Sequence, residues 1–281
     1  MSEGTCLCQR LQWRIKTPPE AAYHCHCTMC RKIHAAAFAT YYIIDTNGFE
    51  WTSSQDSLAV FRSSENLSRN FCNRCGSVVP NASDDGSIWY VPAGSHTDGP
   101  PVESHIFTGS KASWHEIADN LQQHETFPPG VEDAVCNTPD RAEKRTDVLS
   151  GSCLCQRVLF RVESNFSAVH NCHCNRCRRA RAAAHTTNGF IAIDQFEWVS
   201  GEDNTEVYKL SDARFFTHAF CKTCGSGVPR TDLGRGIAIV PFGTLDDDPG
   251  RGADDHIFLN SKASWYEVED SLPAYGELPP G

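Results

Sequence analysis

The cysteines constrain this chain more than any other feature. Fifteen occur among 281 residues, and fourteen of them fall into two matching sets of seven. Gly4-Thr5-Cys6-Leu7-Cys8-Gln9-Arg10 returns as Gly151-Ser152-Cys153-Leu154-Cys155-Gln156-Arg157, and Cys25-His26-Cys27-Thr28-Met29-Cys30-Arg31 returns as Cys172-His173-Cys174-Asn175-Arg176-Cys177-Arg178. Phe71-Cys72-Asn73-Arg74-Cys75-Gly76-Ser77 matches Phe220-Cys221-Lys222-Thr223-Cys224-Gly225-Ser226. Further on, His105-Ile106-Phe107 with Ser110-Lys111-Ala112-Ser113-Trp114 matches His256-Ile257-Phe258 with Ser261-Lys262-Ala263-Ser264-Trp265. Self-similarity on this scale means one folding unit used twice. Cys136 alone has no counterpart.

The length agrees with two domains. Phe127-Pro128-Pro129-Gly130 closes the first copy as Leu278-Pro279-Pro280-Gly281 closes the chain, and a charged, polar stretch follows the first of these. We therefore expect domains at 1–130 and 148–281, joined by a solvated linker at 131–147. Within each copy the pattern is of short strands. Phe49–Trp51, Leu58–Phe61, Leu67–Phe71 and Ile88–Val91 are β-leaning runs between polar turns, and Phe196–Val199, Val207–Leu210, Phe215–Phe220 and Ile237–Val240 repeat them. The expected class is mainly β, built of short, mostly antiparallel strands. Helix is expected only after each Cys-x-x-Cys-Arg, where Lys32–Phe38 is Ala-rich, and around Trp114–Leu121.

Acidic residues outnumber basic ones, 35 to 25, for a formal charge of -10. A phosphate backbone would be repelled at long range, which argues against nucleic acid. The longest nearly apolar run, Ala35–Ile44, is too short to span a bilayer, so no membrane is expected. Residues 1–30 hold no uninterrupted apolar signal core, so the expectation is a reducing, cytoplasmic compartment. There, Cys-x-Cys and Cys-x-x-Cys pairs are metal ligands before they are cross-links, and adjacent Cys-x-Cys pairs rarely meet disulfide geometry.

Seven cysteines per copy divide as four plus three. Four thiolates make the closed tetrahedral site that zinc favours, whereas three leave a position for water or a substrate atom. Strand pairing can join Cys6 and Cys8 to Cys72 and Cys75 as a structural site, and Cys153 and Cys155 to Cys221 and Cys224. The compact trios Cys25, Cys27, Cys30 and Cys172, Cys174, Cys177 would be the open sites. On this reading the chain holds up to four Zn2+ ions, two per domain. Two alternatives stand beside it: that all the zinc is structural, with His26 or His173 as a fourth ligand, or that the thiolates hold an iron–sulfur cluster or Cu(I).

In number and order these motifs resemble the glutathione-dependent formaldehyde-activating enzyme family, which also includes centromere protein V. The resemblance covers nearly all of both copies except the linker. It implies a tandem pair of zinc-stabilised β-tent domains, with the closed site from the outer cysteine pairs and a reactive zinc on each central trio beside a thiol-substrate groove. The simplest family members carry one such domain, so equal function in the two copies is not implied. The flanks of the trios differ as well: Arg31-Lys32-Ile33-His34 against Arg178-Arg179-Ala180-Arg181.

An open thiolate-ligated zinc can hold a substrate sulfur as the nucleophilic thiolate. The leading expectation is thus a zinc-dependent carbon–sulfur lyase or synthase acting on a small-molecule thiol or its aldehyde adduct, with glutathione as a co-substrate. The alternatives are a non-catalytic zinc-stabilised binding module, and a diverged enzyme using the same zinc on another sulfur or carbonyl substrate. His26 and His173, between ligand cysteines, are candidate proton shuttles, or polar spacers. Arg31 and Arg178 are candidate anchors for a substrate carboxylate, or solvated loop residues. Arg176, Arg178, Arg179 and Arg181 form a local basic patch, for which a solvated face is the simpler reading. His105 and His256 read as structural groups, and Asp98 and Asp246 as turn formers.

Overall fold

A computed structural model of the chain describes residues 2–130, 147–214 and 216–280. Cys136, all of the expected linker except Asp147, and the Phe215 start of one expected strand lie outside the described residues. The fold is mainly β. The first half runs β1 (Ser2–Thr5), β2 (Gln12–Ile15), β3 (Ala21–Cys25), α1 (Thr28–His34), β4 (Ala39–Asp45), β5 (Phe49–Trp51), β6 (Leu58–Ser64), β7 (Leu67–Cys72), β8 (Val78–Val79), β9 (Asn81–Ala82), β10 (Ile88–Pro92), β11 (Ser104–Ile106) and β12 (Gln122–Gln123). The second repeats this closely as β13 (Val148–Ser152), β14 (Leu159–Glu163), β15 (Ala168–Cys172), α2 (Asn175–Arg181), β16 (Thr186–Ala192), β17 (Phe196–Ser200), β18 (Thr205–Lys209), β19 (Thr217–Cys221), β20 (Arg230–Asp232), β21 (Ile237–Pro241) and β22 (Asp255–Ile257). No helix among the described residues is long and apolar enough to cross a membrane.

Three sheets lean together in each half. In the first they are ordered β1-β2-β5, β6-β7-β8 and β12-β11-β3-β4-β10-β9, and in the second β13-β14-β17, β18-β19 and β20-β21-β16-β15-β22. Most pairs are antiparallel, but β11 runs parallel to β3 and to the edge strand β12, and β22, at the edge of its own sheet, runs parallel to β15. Trp13, Tyr42, Ile44 and Val91 fill the core of the first half; Leu149, Phe160, Ile191 and Phe242 fill that of the second.

The helices depart from expectation. The Ala-rich run suggested Lys32–Phe38, yet α1 begins inside the cysteine trio, where the Cys27 sulfur accepts from Cys30 N and caps the first turn. It stops when Ala35 turns left-handed, at φ 48°, a conformation usually signalled by glycine. Around Trp114–Leu121 no helix forms. Lys111 Nζ instead donates to the His115 carbonyl at 2.6 Å, and the Trp114 ring packs against Phe242 of the other half, 5.5 Å between centroids.

The two halves meet about a pseudo-twofold axis. Helix α1 packs on Phe242–Thr244, and α2 packs on the equivalent Ala93–Ser95. Both contacts need glycine, since a Cβ on Gly94 would lie 2.1 Å from Ala183 N and one on Gly243 2.2 Å from Ala36 N. Phe71 and Phe220, equivalent residues, approach each other across the axis. One ion pair breaks the symmetry. Lys32 Nζ, buried in the contact, lies 2.7 Å from Asp246 and donates to the carbonyls of Thr244 at 2.6 Å and Ser152 at 3.0 Å. Asp246, which the sequence suggests as a turn former, is thus part of the junction. Lys32→Met removes the ammonium from a buried carboxylate and two buried carbonyls, and should destabilise the chain by about 3 kcal/mol, read as a lowered thermal midpoint.

Candidate metal centres

Four groups of cysteines converge, and they are the groups the spacing suggests. Cys6, Cys8, Cys72 and Cys75 form one, Cys153, Cys155, Cys221 and Cys224 its copy, and the trios Cys25, Cys27, Cys30 and Cys172, Cys174, Cys177 the other two. Within each group the sulfurs all lie within 4.8 Å of one another. Each can hold a metal ion.

The four-cysteine groups tie sheets together. Cys6 and Cys8 leave β1 on a tight loop, and Cys72 ends β7, so the β1 sheet and the β7 sheet are joined at this point. Sulfur–sulfur separations of 3.5 Å for Cys6–Cys8 and 3.7 Å for Cys8–Cys72 recur in the copy. Disulfide sulfurs would be near 2.05 Å, whereas thiolates on a tetrahedral zinc, at 2.3 Å from the ion, stand about 3.8 Å apart. Leu11 N donates to Cys6 Sγ and Val158 N to Cys153 Sγ, as backbone amides do around thiolates.

In each trio the first cysteine ends a strand, the second caps the helix and the third lies one turn inside it. Burial and crowding by the other two sulfurs push the Cys25 and Cys172 thiols up, with the neighbouring sulfurs the larger cause. Such sulfurs ionise together only with a cation among them, so the donor set fits a thiophilic divalent ion. In the first half the trio opens on a cavity of about 450 Å³, whose lining includes Tyr23, Tyr41, Tyr90, Phe107, Arg69 and Asn81.

Each third cysteine feels the charge of an arginine, supplied from opposite elements. In the first half it is Arg69, from β7, with Nη1 and Nη2 each 3.6 Å from Cys30 Sγ, and His34 of α1 lies behind. In the second half the helix supplies Arg181, whose charge is felt at Cys177, and the strand supplies His218. A divalent ion with three thiolates carries one net negative charge, and one arginine cancels it. Burial works against the charge on Arg69, but Cys30, Tyr41 and Cys27 outweigh it and keep the side chain protonated. Burial holds His34 neutral, lowered to about 4. Arg69→Met should weaken metal binding at the first trio about tenfold, measured by chelator competition.

The remaining candidates lie at the junction between halves. His26 Nε2 meets His105 Nδ1 at 2.8 Å, and His105 Nε2 lies 3.0 Å from both Asp119 oxygens. The carboxylate fixes the proton on His105 Nε2, so His26 donates and its own Nδ1 keeps an unpartnered lone pair. His173, His256 and Asp270 repeat the arrangement. Burial, then neighbouring histidines, hold His26 and His173 neutral, the latter lowered to about 3. His26 does not line the cavity beside its trio. Nor does Arg31, which is buried. Arg178, 1% exposed, donates to the His96 carbonyl of the first half and to Asn175. Burial also claims Arg181, which reaches the Ala35 carbonyl, so for these two arginines the expected solvated face is corrected. Asp98 accepts from Ser264 Oγ across the junction.

Residues 1–110 and 148–261 each match the family described as glutathione-dependent formaldehyde-activating enzyme. The chain belongs to that family. The two matched segments contain all four cysteine groups, so this glutathione-dependent formaldehyde-activating family member carries both kinds of site twice. Among solved structures, a crystal structure of a Rhodobacter sphaeroides protein is 25% identical over 34% of this chain and 86% of that one, with a TM-score of 0.29. No curated protein matches the chain.

Arg69 and the aromatic cavity wall were not signalled by the sequence. The comparison of copies hid the arginine, because its counterpart is His218 and the helix positions are exchanged in the opposite sense, His34 for Arg181. Only a fold that brings β7 onto α1 reveals that the two exchanges compensate.

Proposed function

We propose that the chain is a zinc-dependent carbon–sulfur lyase or synthase, adding a small-molecule thiol, of the glutathione type or a related sulfur substrate, to an aldehyde and reversing that addition. The observation that carries the reading is the three-sulfur group on a cavity wall, beside a four-sulfur group tied into the sheets. When bound at the trio, zinc supplies a Lewis acid that lowers the pKa of an incoming thiol. The four donor sets support up to four ions per chain, two per half.

The chain's own residues provide the rest. Cys25, Cys27 and Cys30 fix the position at which the substrate sulfur arrives, and Arg69 balances their charge. Tyr23, Tyr90 and Phe107 shield the sulfur from water. Asn81 is 2% exposed and its Nδ2 has no partner, so it is a ready donor to a carbonyl or hydroxyl oxygen of the adduct. In the forward direction a carbon–sulfur bond forms, the carbonyl π pair moves to oxygen, and the proton lost from sulfur passes through water to that oxygen. The reverse returns thiol and aldehyde. The reading sets the protein in a reducing compartment, the cytoplasm, where cysteines in such number stay available as metal ligands.

Exchange spectroscopy on glutathione and formaldehyde tests the reading directly. The zinc-loaded chain should accelerate interconversion of adduct and free thiol about tenfold or more over buffer, and chelation of the labile zinc should remove the effect. Equal exchange with and without protein would mean a binding module rather than an enzyme.

A further inference from the structure

The two trios are equivalent in sulfur but not in surroundings. In the first half Tyr23 pairs with Tyr41, Ile43 with Tyr90, and Tyr90 with Asn81. The same register in the second half sets His170 opposite Asn188, Phe190 opposite Ile239, and Ile239 opposite Arg230. Position for position, Tyr23 becomes His170, Asn81 becomes Arg230, and Met29 of α1 becomes Arg176 of α2. At these positions the uncharged side chains of the largely aromatic first site are thus replaced by two arginines and a histidine.

The arginines and the histidine differ in how far neighbouring groups hold them. Arg181, bonded to the Ala35 carbonyl, feels the charge of Cys177. Arg230 adds a second cation: among the described residues its side chain makes no hydrogen bond or close ion pair, and Asp232, which attracts it, is itself bonded by Arg235 at 2.7 Å. Its charge still acts on Cys177. Arg176 reaches Asp212 at 3.4 Å in an exposed, readily screened pair, and His170 is held by Asp255 at 2.6 Å. Water access differs as well. Cys27 and Cys30 are 1% and 4% exposed, whereas Cys174 and Cys177 are only partly covered. A dry, aromatic site penalises a charged ligand, and a wet one with an unspent guanidinium favours an anion.

We infer that the two trios serve thiols of different charge: the first a thiol with an uncharged, apolar substituent, the second a thiol bearing a carboxylate, held by Arg230 with Arg176. This rests on the reading of the trios as sites for substrate sulfur.

Calorimetric titration of the zinc-loaded full chain with 2-phenylethanethiol and with mercaptosuccinate tests it, read as heat of binding rather than turnover. Cys27→Ser should abolish binding of 2-phenylethanethiol and spare mercaptosuccinate, and Cys174→Ser should do the reverse. Arg230→Asn should weaken mercaptosuccinate about tenfold and leave 2-phenylethanethiol within about twofold. Arg176→Met, on a half-exposed helix position, gives a second, smaller loss of the same sign and does not depend on β20 tolerating its change. Loss of both thiols together in one cysteine variant, or unaltered mercaptosuccinate affinity in both arginine variants, overturns the inference. Binding of neither thiol to the zinc-loaded chain overturns the functional reading itself, a distinguishable result.

Discussion

Cys72→Ser should cost the first half both a zinc ion and its tertiary structure. A structural tetrathiolate site contributes on the order of 10 kcal/mol, comparable with the whole stability of an ordinary domain. Because Cys72 holds the end of β7 against the Cys6–Cys8 loop, its loss frees two sheets at once. The first-half core is continuous with Ala180, Ala184 and Trp265 of the second, so the damage should spread across the junction. We expect bound zinc to fall, near-ultraviolet dichroism to diminish, and the thermal midpoint to drop by about 10 °C or more. Cys221→Ser should behave alike. A variant whose midpoint stays close to that of the parent would show that the four-sulfur groups do not hold the sheets.

The opposite pattern is expected for the double variant Cys27→Ser with Cys174→Ser. Both changes fall at helix caps, where serine is itself a good capping residue, and neither touches the four-sulfur groups. The chain should stay folded, lose about half of its zinc, and lose thiol-adduct turnover by a factor of about 100 or more. Full turnover with the trio metal gone would defeat the proposed chemistry.

The sequence spelled out the parts of this molecule that depend on repetition. The cysteine groups and the twofold plan follow from seven positions kept in both copies, the mainly β class follows from short β-leaning runs between polar turns, and most of the expected strands occur within a residue or two. What it concealed depends on distance. Ala35 and Ala182 end their helices in a left-handed conformation without glycine to announce it, which is why the first helix was displaced along the chain. Trp114 looked like part of a helix because its apolar partner, Phe242, lies in the other half. Arg69 and Arg230 carry no motif, and their meaning comes from the sulfur that each approaches in space.

Fusing two copies into one polypeptide has a consequence for how their contact can change. In an assembly of identical subunits every substitution near the axis appears on both sides and must tolerate its own image. Here Phe38 faces His185, its own counterpart, at 5.6 Å, and Lys32 finds a carboxylate on only one side. Each face has thereby become a lock cut for a single key, so that a chain made of two first halves, or two second halves, would close on a mismatch.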